Sequence, residues 1–443
     1  MPQPERPNIL LIMTDQQSGS AMSCAGNPDL HTPAMDRLAE EGVLFRNAYC
    51  THPLCTPCRG SIFTGMMPLE CGTPNNGMGI KPELRENELG NVLARAGYEG
   101  IYAGKWHVPE GPMPEENDHG FRSLGRMMDD DVPGACGQEF ERWASASASG
   151  RKPFFLVANF VNPHDICQIG RGQYLPQGGI GEPPPVEECP NLPANFSIGP
   201  FEPGALRVEQ ARNWSCRPFR NASPEEWRRL RWGYFRLVEK VDALIGQLMD
   251  SLSRKGLDKN TLVIFTSDHG DGHGAHQWNQ KTALYEEVVR IPFIMRPPGG
   301  VKGGAVSDFL VSNGLDIFPT ACAAAGAPVP EGLRGANLLP AAGGETPDPA
   351  REAVFVETNF GLDSKRVCQG RAVRTQRWKY NVYDSGPCPE QLFDLAADPG
   401  EMVNRAVEAR FRPVLDEHRQ RLVRQIQETG DPFKAVFMQN VQL

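Results

Sequence analysis

Cys55 opens the run Cys55-Thr56-Pro57-Cys58-Arg59-Gly60-Ser61. Pro57 and the helix-compatible residues that follow put its thiol at a helix N-terminus, where the local field favours anions. Arg59 stands one helical turn on, so its guanidinium can reach back toward Cys55. A lone cysteine usually reads as an inert buried thiol, and Cys58 and Cys71 are read that way. Asp15-Gln16 and Asp268-His269 each follow a short apolar run. Either pair alone reads as a capped turn. Together, with Cys55, they can converge on one cation. Two carboxylates and a glutamine carbonyl are hard ligands suited to calcium or magnesium, and the His269 nitrogen opens the site to manganese.

Further cationic and acid–base groups lie in Gly104-Lys105-Trp106-His107, in Asn162-Pro163-His164-Asp165 and at Lys281. Lys105 and His107 share a face if the chain is extended there. They could neutralise an anionic oxygen and relay a proton, and His164 could act as an acid. Taken singly, these are ordinary loops. His273 and His276 hint at zinc, but their spacing matches no zinc motif, and they read as loop or supporting residues.

These groups need a frame. Residues 8–13, 98–103, 154–161 and 262–265 read as buried strands. Helices are predicted over 33–41 (Thr32 cap, Gly42 stop), over 87–96, and from the capping box Ser223-Pro224-Glu225-Glu226 to about Lys255. Apolar strands alternating with helices predict an α/β fold with a large, mostly parallel sheet flanked by helices. In such sheets ligands bind at the carboxyl ends of the strands, which is where Asp15 and Asp268 fall. A break near residues 343–347 divides a catalytic domain, 1–345, from a smaller unit, 346–443. The latter reads as an antiparallel sheet (353–357, 371–375, 378–383, 391–395) with a helix over 413–428. The proline- and glycine-rich stretch 170–204 has no helix or strand period; a functional loop and a plain surface loop fit it equally well.

The chain has 443 residues, 40% of them hydrophobic, and a net charge of −9 without a basic run. Nucleic acid is therefore not an expected partner, and an anionic substrate requires a locally positive pocket. No apolar run is long enough to cross a membrane, and residues 1–8 do not read as a signal peptide. The chain as given reads as cytoplasmic, or as periplasmic or secreted if a leader was removed. Twelve widely spread cysteines read as reduced thiols.

The ordered set Asp15-Gln16, Cys55-x-Pro-x-Arg59, Gly104-Lys105-Trp106-His107, His164, Asp268-His269 and Lys281 resembles the formylglycine-dependent sulfatases of the alkaline-phosphatase superfamily. Arg374-Thr375-x-Arg377-Trp378-Lys379-Tyr380 and Leu392-Phe393-Asp394-Leu395-x-x-Asp398-Pro399-x-Glu401 look like the family's second domain. The resemblance implies that a formylglycine-generating enzyme oxidises Cys55 to an aldehyde. Its hydrate is a geminal diol, with one oxygen to attack sulfur and one to help expel the product. It further implies that Asp15, Gln16, Asp268, His269 and the modified Cys55 bind one divalent metal, calcium foremost, with magnesium or manganese as alternatives. Arg59, Lys105 and Lys281 would stabilise the equatorial oxygens, His164 would protonate the departing alcohol, and His107 would deprotonate the remaining hydroxyl so that sulfate leaves. The substrate would be a sulfate monoester, of a carbohydrate by family association.

Many relatives carry Asp-Asp and Asp-Asn where this chain has Asp15-Gln16 and Asp268-His269, and serine where it has Cys58. A phosphonate monoester or phosphodiester hydrolase on the same scaffold shares the metal set but tends to lack the Lys-x-His pair. A non-catalytic binding protein with unmodified Cys55 is the alternative of another class. Oligomeric state is not legible.

Overall fold

The structure, a computed structural model, describes residues 6–109, 111, 119–146, 151–361 and 367–434. Eight strands build one sheet: β1 (Asn8–Asp15), β2 (Val43–Tyr49), β3 (Glu99–Gly104), β4 (Arg122–Ser123), β5 (Phe154–Pro163), β6 (Thr261–Ser267), β7 (Phe293–Arg296) and β8 (Ala305–Ser312). Their order is β4-β3-β5-β1-β6-β7-β2-β8. β7 runs antiparallel to β6 and β2, and the remaining pairings are parallel. The predicted α/β class is observed.

Alternation along β1 divides the core. Ile9, Leu11 and Met13 belong to one apolar cluster with Phe63 and Phe318. Leu10 and Ile12 belong to a second, with Tyr234, Leu237 and Val241 of the helix Pro224–Arg254. Successive side chains of a strand face opposite ways, so a continuous apolar run is what a sheet covered on both sides requires. The long helix starts as expected: Ser223 Oγ accepts from Glu226 N at 3.2 Å, and Glu226 Oε2 accepts from Ser223 N at 2.6 Å.

Two expected helix signals act differently. Thr32 precedes Pro33–Glu40, but its side chain makes no cap; it bonds Ser23 instead. Gly42 is not in the cap position, which is Glu41. It is required by proximity, because a Cβ there would lie 2.7 Å from the Met295 carbonyl oxygen. The helix expected over 87–96 begins later, at Leu89, after a 3-10 turn Pro82–Asn87.

A second, antiparallel sheet follows, of β9 (Ala353–Gly361), β10 (Val367–Thr375), β11 (Trp378–Tyr383) and β12 (Glu390–Asp394), with the helix Arg412–Thr429 packed on it. It is tied to the first by Glu357 N to Thr51 O at 2.8 Å, by Arg374 Nε to Tyr49 Oη at 2.7 Å, and by buried Lys379, whose Nζ lies 3.0 Å from Glu286 and 2.9 Å from Glu401. All twelve cysteines are unpaired. Among the described residues no helix is long and apolar enough to cross a membrane.

Candidate active site

Four adjacent parallel strands deliver the site from their carboxyl ends. β1 ends on Asp15, β6 ends immediately before Asp268-His269, β3 immediately before Lys105, and β5 immediately before His164. The nucleophile candidate comes from outside the sheet. Cys55 is the first residue of the ten-residue helix Cys55–Thr64, and it is fully buried.

Around Cys55 Sγ lie His269 Nε2 at 3.2 Å, Lys281 Nζ at 3.2 Å and Asp15 Oδ1 at 3.7 Å. Burial and Asp15 push the thiol up, but Lys281, Lys105 and His269 outweigh them and hold it well below the usual thiol range. An oxygen replacing this sulfur would meet the same cations.

Asp15, Cys55, Asp268 and His269 each offer a ligand atom, all within 4.8 Å of one another and all buried. His269 Nδ1 is 2.9 Å from the Gly270 carbonyl oxygen, a contact that favours the proton on Nδ1 and leaves the Nε2 lone pair for a metal. Burial and the neighbouring Asp15 carboxylate push Asp268 above its usual range. A divalent cation between them is electrostatically favoured, so the residues fit a metal.

Arg59 makes no hydrogen bond to Cys55 among the described residues. Its Nε donates to Asp268 Oδ2 at 2.9 Å, Nη2 to Asp15 Oδ2 at 3.0 Å and Nη1 to the Lys105 carbonyl at 3.1 Å. It therefore fixes the two carboxylates relative to each other. Lys105 Nζ also meets Asp15 Oδ2, at 2.6 Å, and its carbonyl accepts from Tyr102 Oη at 2.7 Å.

Gln16 sits in the cluster at φ +73°, donating its backbone N–H to Asp268 Oδ1 at 3.1 Å and its amide to Asp271 Oδ2 at 2.7 Å. Its Oε1 takes the Cys167 thiol at 3.5 Å. Side-chain amide orientation follows from that network.

His164 is partly buried, and burial with Lys105 and Lys281 holds its pKa well below the usual imidazole value. His107 lies apart: it has φ +62° and an exposed side chain, and its carbonyl accepts Thr56 Oγ1 at 2.6 Å. The left-handed turn at His107 ends the extended chain on which the expected shared face of Lys105 and His107 depends. His273 and His276 are buried outside this cluster, stacked on Tyr234 and Tyr285.

The sequence reading missed Asp271 and Cys167. Asp271 Oδ2 accepts from both Gln16 and the Gln280 backbone N–H, at 3.0 Å for the latter. Asp271 is two residues past His269, in a loop of glycines, and that spacing was the available signal. Gln16, Gln280 and Thr282, all non-glycine, adopt positive φ on the segments that carry the site. Such strain is typical of functional sites.

A sulfatase family model matches residues 7–327, and a model of the N-sulphoglucosamine sulphohydrolase C-terminal region matches residues 274–428. A delta 4,5-hexuronate-2-O-sulfatase of Bacteroides thetaiotaomicron is 28% identical, over 98% of this chain and 91% of its own length. An ulvan-active sulfatase of Formosa agariphila is 28% identical, over 98% and 83%. The solved structure of a 2-O GAG sulfatase superposes with a TM-score of 0.82 at 27% identity, covering 97% of this chain and 95% of that one. With its buried cysteine, convergent carboxylates and lysines at the carboxyl ends of a mostly parallel sheet, the chain belongs to the sulfatase family, the sulfuric ester hydrolases.

Proposed function

We propose that this protein hydrolyses the sulfate monoester of a carbohydrate to the alcohol and inorganic sulfate, with position 55 as nucleophile after oxidation of Cys55 to formylglycine. The observation that carries the proposal is the set of contacts on Cys55 Sγ: Lys281 Nζ, His269 Nε2 and Asp15 Oδ1. A thiol buried among cations suits a group that must bind beside an anion. The relatives' names, a hexuronate 2-O-sulfatase and an ulvan-active sulfatase, support a carbohydrate.

Asp15, Gln16, Asp268, His269 and the side chain at 55 would hold one divalent metal. The two carboxylates favour calcium, and the imidazole keeps manganese open. When bound, the metal supplies charge neutralisation and polarisation at the sulfuryl oxygens. Gln16 is placed to orient Asp268 from its backbone N–H. Lys281 and Lys105 are positioned to stabilise the equatorial oxygens, the electrostatic logic common to sulfuryl and phosphoryl transfer. Arg59 positions Asp15 and Asp268. Burial, Lys105 and Lys281 hold the His164 pKa well below the usual imidazole value. A sulfate ester between those lysines offsets their charge, so that the imidazole can deliver a proton to the departing oxygen. His107 would take part as the base after a rotation of its exposed side chain toward position 55.

Protein co-expressed with a formylglycine-generating enzyme should turn over sulfated mono- or oligosaccharides and an aryl sulfate faster than a phosphodiester. Faster turnover of the phosphodiester would instead assign a phosphonate or phosphodiester hydrolase. An inactive protein with an intact thiol at position 55 would support the non-catalytic alternative.

A further inference from the structure

Arg171 lies beside the site, two residues beyond the short helix Ile166–Ile169. Its guanidinium carbon sits 3.5 Å above the centroid of the Trp214 ring, and one amino group donates to Ser215 Oγ. Nε is buried and has no hydrogen-bond partner, and Arg171 pairs with no carboxylate among the described residues. Burial lowers its affinity for its proton. The chain carries 54 acidic and 45 basic residues, so a half-buried arginine left without an acidic partner is informative. Two unusual costs are accepted here together: an unpaired cation partly out of water, and a tryptophan that is 62% exposed.

The pair is braced against the catalytic loop. Asn279 Nδ2 donates to the Ser215 carbonyl at 3.2 Å, and the Cys216 thiol donates to the Asn279 carbonyl at 3.4 Å. Asn279 is two residues from Lys281, whose Nζ touches Cys55 Sγ. On the other side, Cys167, four residues before Arg171, bonds Gln280 Oε1 at 2.8 Å and Gln16 Oε1. Arg171 and Trp214 are thus joined to the sulfate-binding lysine through Ser215, Asn279 and Cys167. Arg171 lies over one ring face of Trp214, whose side chain is otherwise largely exposed.

We propose that Arg171, held on Trp214, binds a second anionic group on the sugar that bears the sulfate ester, so that the substrates are acidic sugar sulfates. This rests on the sulfatase reading. A planar guanidinium with no carboxylate partner among the described residues matches the charge and plane of a carboxylate, and the exposed indole of Trp214 suits a sugar ring. A second sulfate shares the anionic chemistry but not the planar match.

The test measures kcat and KM for wild type, Arg171→Ala and Arg171→Lys on three probes: a sulfated hexuronate, its methyl ester, and a disulfated amino sugar. An aryl sulfate serves as the reference for wild type. The ratio of kcat/KM for free acid over methyl ester is expected to fall roughly 10- to 100-fold in Arg171→Ala, mostly through KM, with partial recovery in Arg171→Lys. A comparable fall on the disulfated probe but not the hexuronate identifies sulfate as the second anion and supports the proposal. An unchanged acid-to-ester ratio together with an unchanged kcat/KM on the disulfated probe overturns it, as does wild type that turns over the aryl sulfate but neither anionic sugar. Wild type inactive even on the aryl sulfate overturns the sulfatase reading itself, and this inference with it.

Discussion

Arg59 lies one turn from Cys55 in sequence, yet in the structure its three donors go to Asp15, Asp268 and the Lys105 carbonyl. Its role is to hold two buried carboxylates at a fixed separation, for which a planar fork is needed and an ammonium is a poor substitute. Arg59→Lys is expected to weaken metal binding about 10- to 100-fold, checked by metal titration of the purified protein. At His164 the expectation depends on the leaving group. His164→Ala should lower kcat by about 10²- to 10⁴-fold for an alkyl sulfate and much less for a nitrophenyl sulfate, whose oxygen needs no proton to leave. An equal loss on both esters would rule out an acid. Residue types and order made Asp15, Cys55, Asp268 and Lys281 legible in the sequence. The supporting contacts were not, because Asp271 on Gln16 and Cys167 on Gln280 depend on where loops fold back. His107 was misplaced because a positive φ at a non-glycine residue leaves no mark in a single sequence.

The strands were the legible elements. A run such as Asn8–Asp15, apolar on both faces, has few alternatives to a central strand. β2, β7, β8 and the helix Asn313–Ala325 were not read. Arg46 and Asn47 interrupt β2, Ser307 and Asp308 interrupt β8 at the sheet edge, and the helix carries Pro319 in its interior. Loop geometry at the strand ends decides the site. Gly104 ends β3 at φ +93°, and a Cβ there would fall 1.9 Å from the Asn159 carbonyl oxygen. Gly104→Ala must therefore move Lys105, which follows directly and holds Asp15. The variant should lose stability by about 1–3 kcal/mol, seen in denaturant unfolding, together with activity. Wild-type stability and activity would show that the turn is not constrained.

Across the whole molecule, the second sheet closes on the first through buried polar groups. Glu357 on β9 is one of them, with Oε2 accepting from Leu69 N at 3.2 Å. Burial raises its pKa to about 7 against 4.5, although Arg371 pulls it down. A carboxyl whose folded pKa is raised costs stability as pH climbs from its unfolded value through its folded one. The melting temperature of Glu357→Gln relative to wild type should accordingly rise between pH 4.5 and 7 and then level off. A difference independent of pH would contradict the buried-carboxyl account. The two-sheet organisation itself was legible, since the Gly-Gly-Glu-Thr-Pro break at 343–347 is followed by a series of short strand-like runs and a helix. The contacts that join the sheets were not, because Glu357, Lys379 and Arg374 look like ordinary surface charges in sequence.

The central claim is that position 55 performs the chemistry on a sulfate ester. The direct measurement is inorganic sulfate released from an aryl sulfate by wild type and by Cys55→Ala, both co-expressed with a formylglycine-generating enzyme. Wild type should release sulfate, and Cys55→Ala should be slower by at least about 10³-fold. Equal rates, or no release by wild type carrying the aldehyde at position 55, would contradict it.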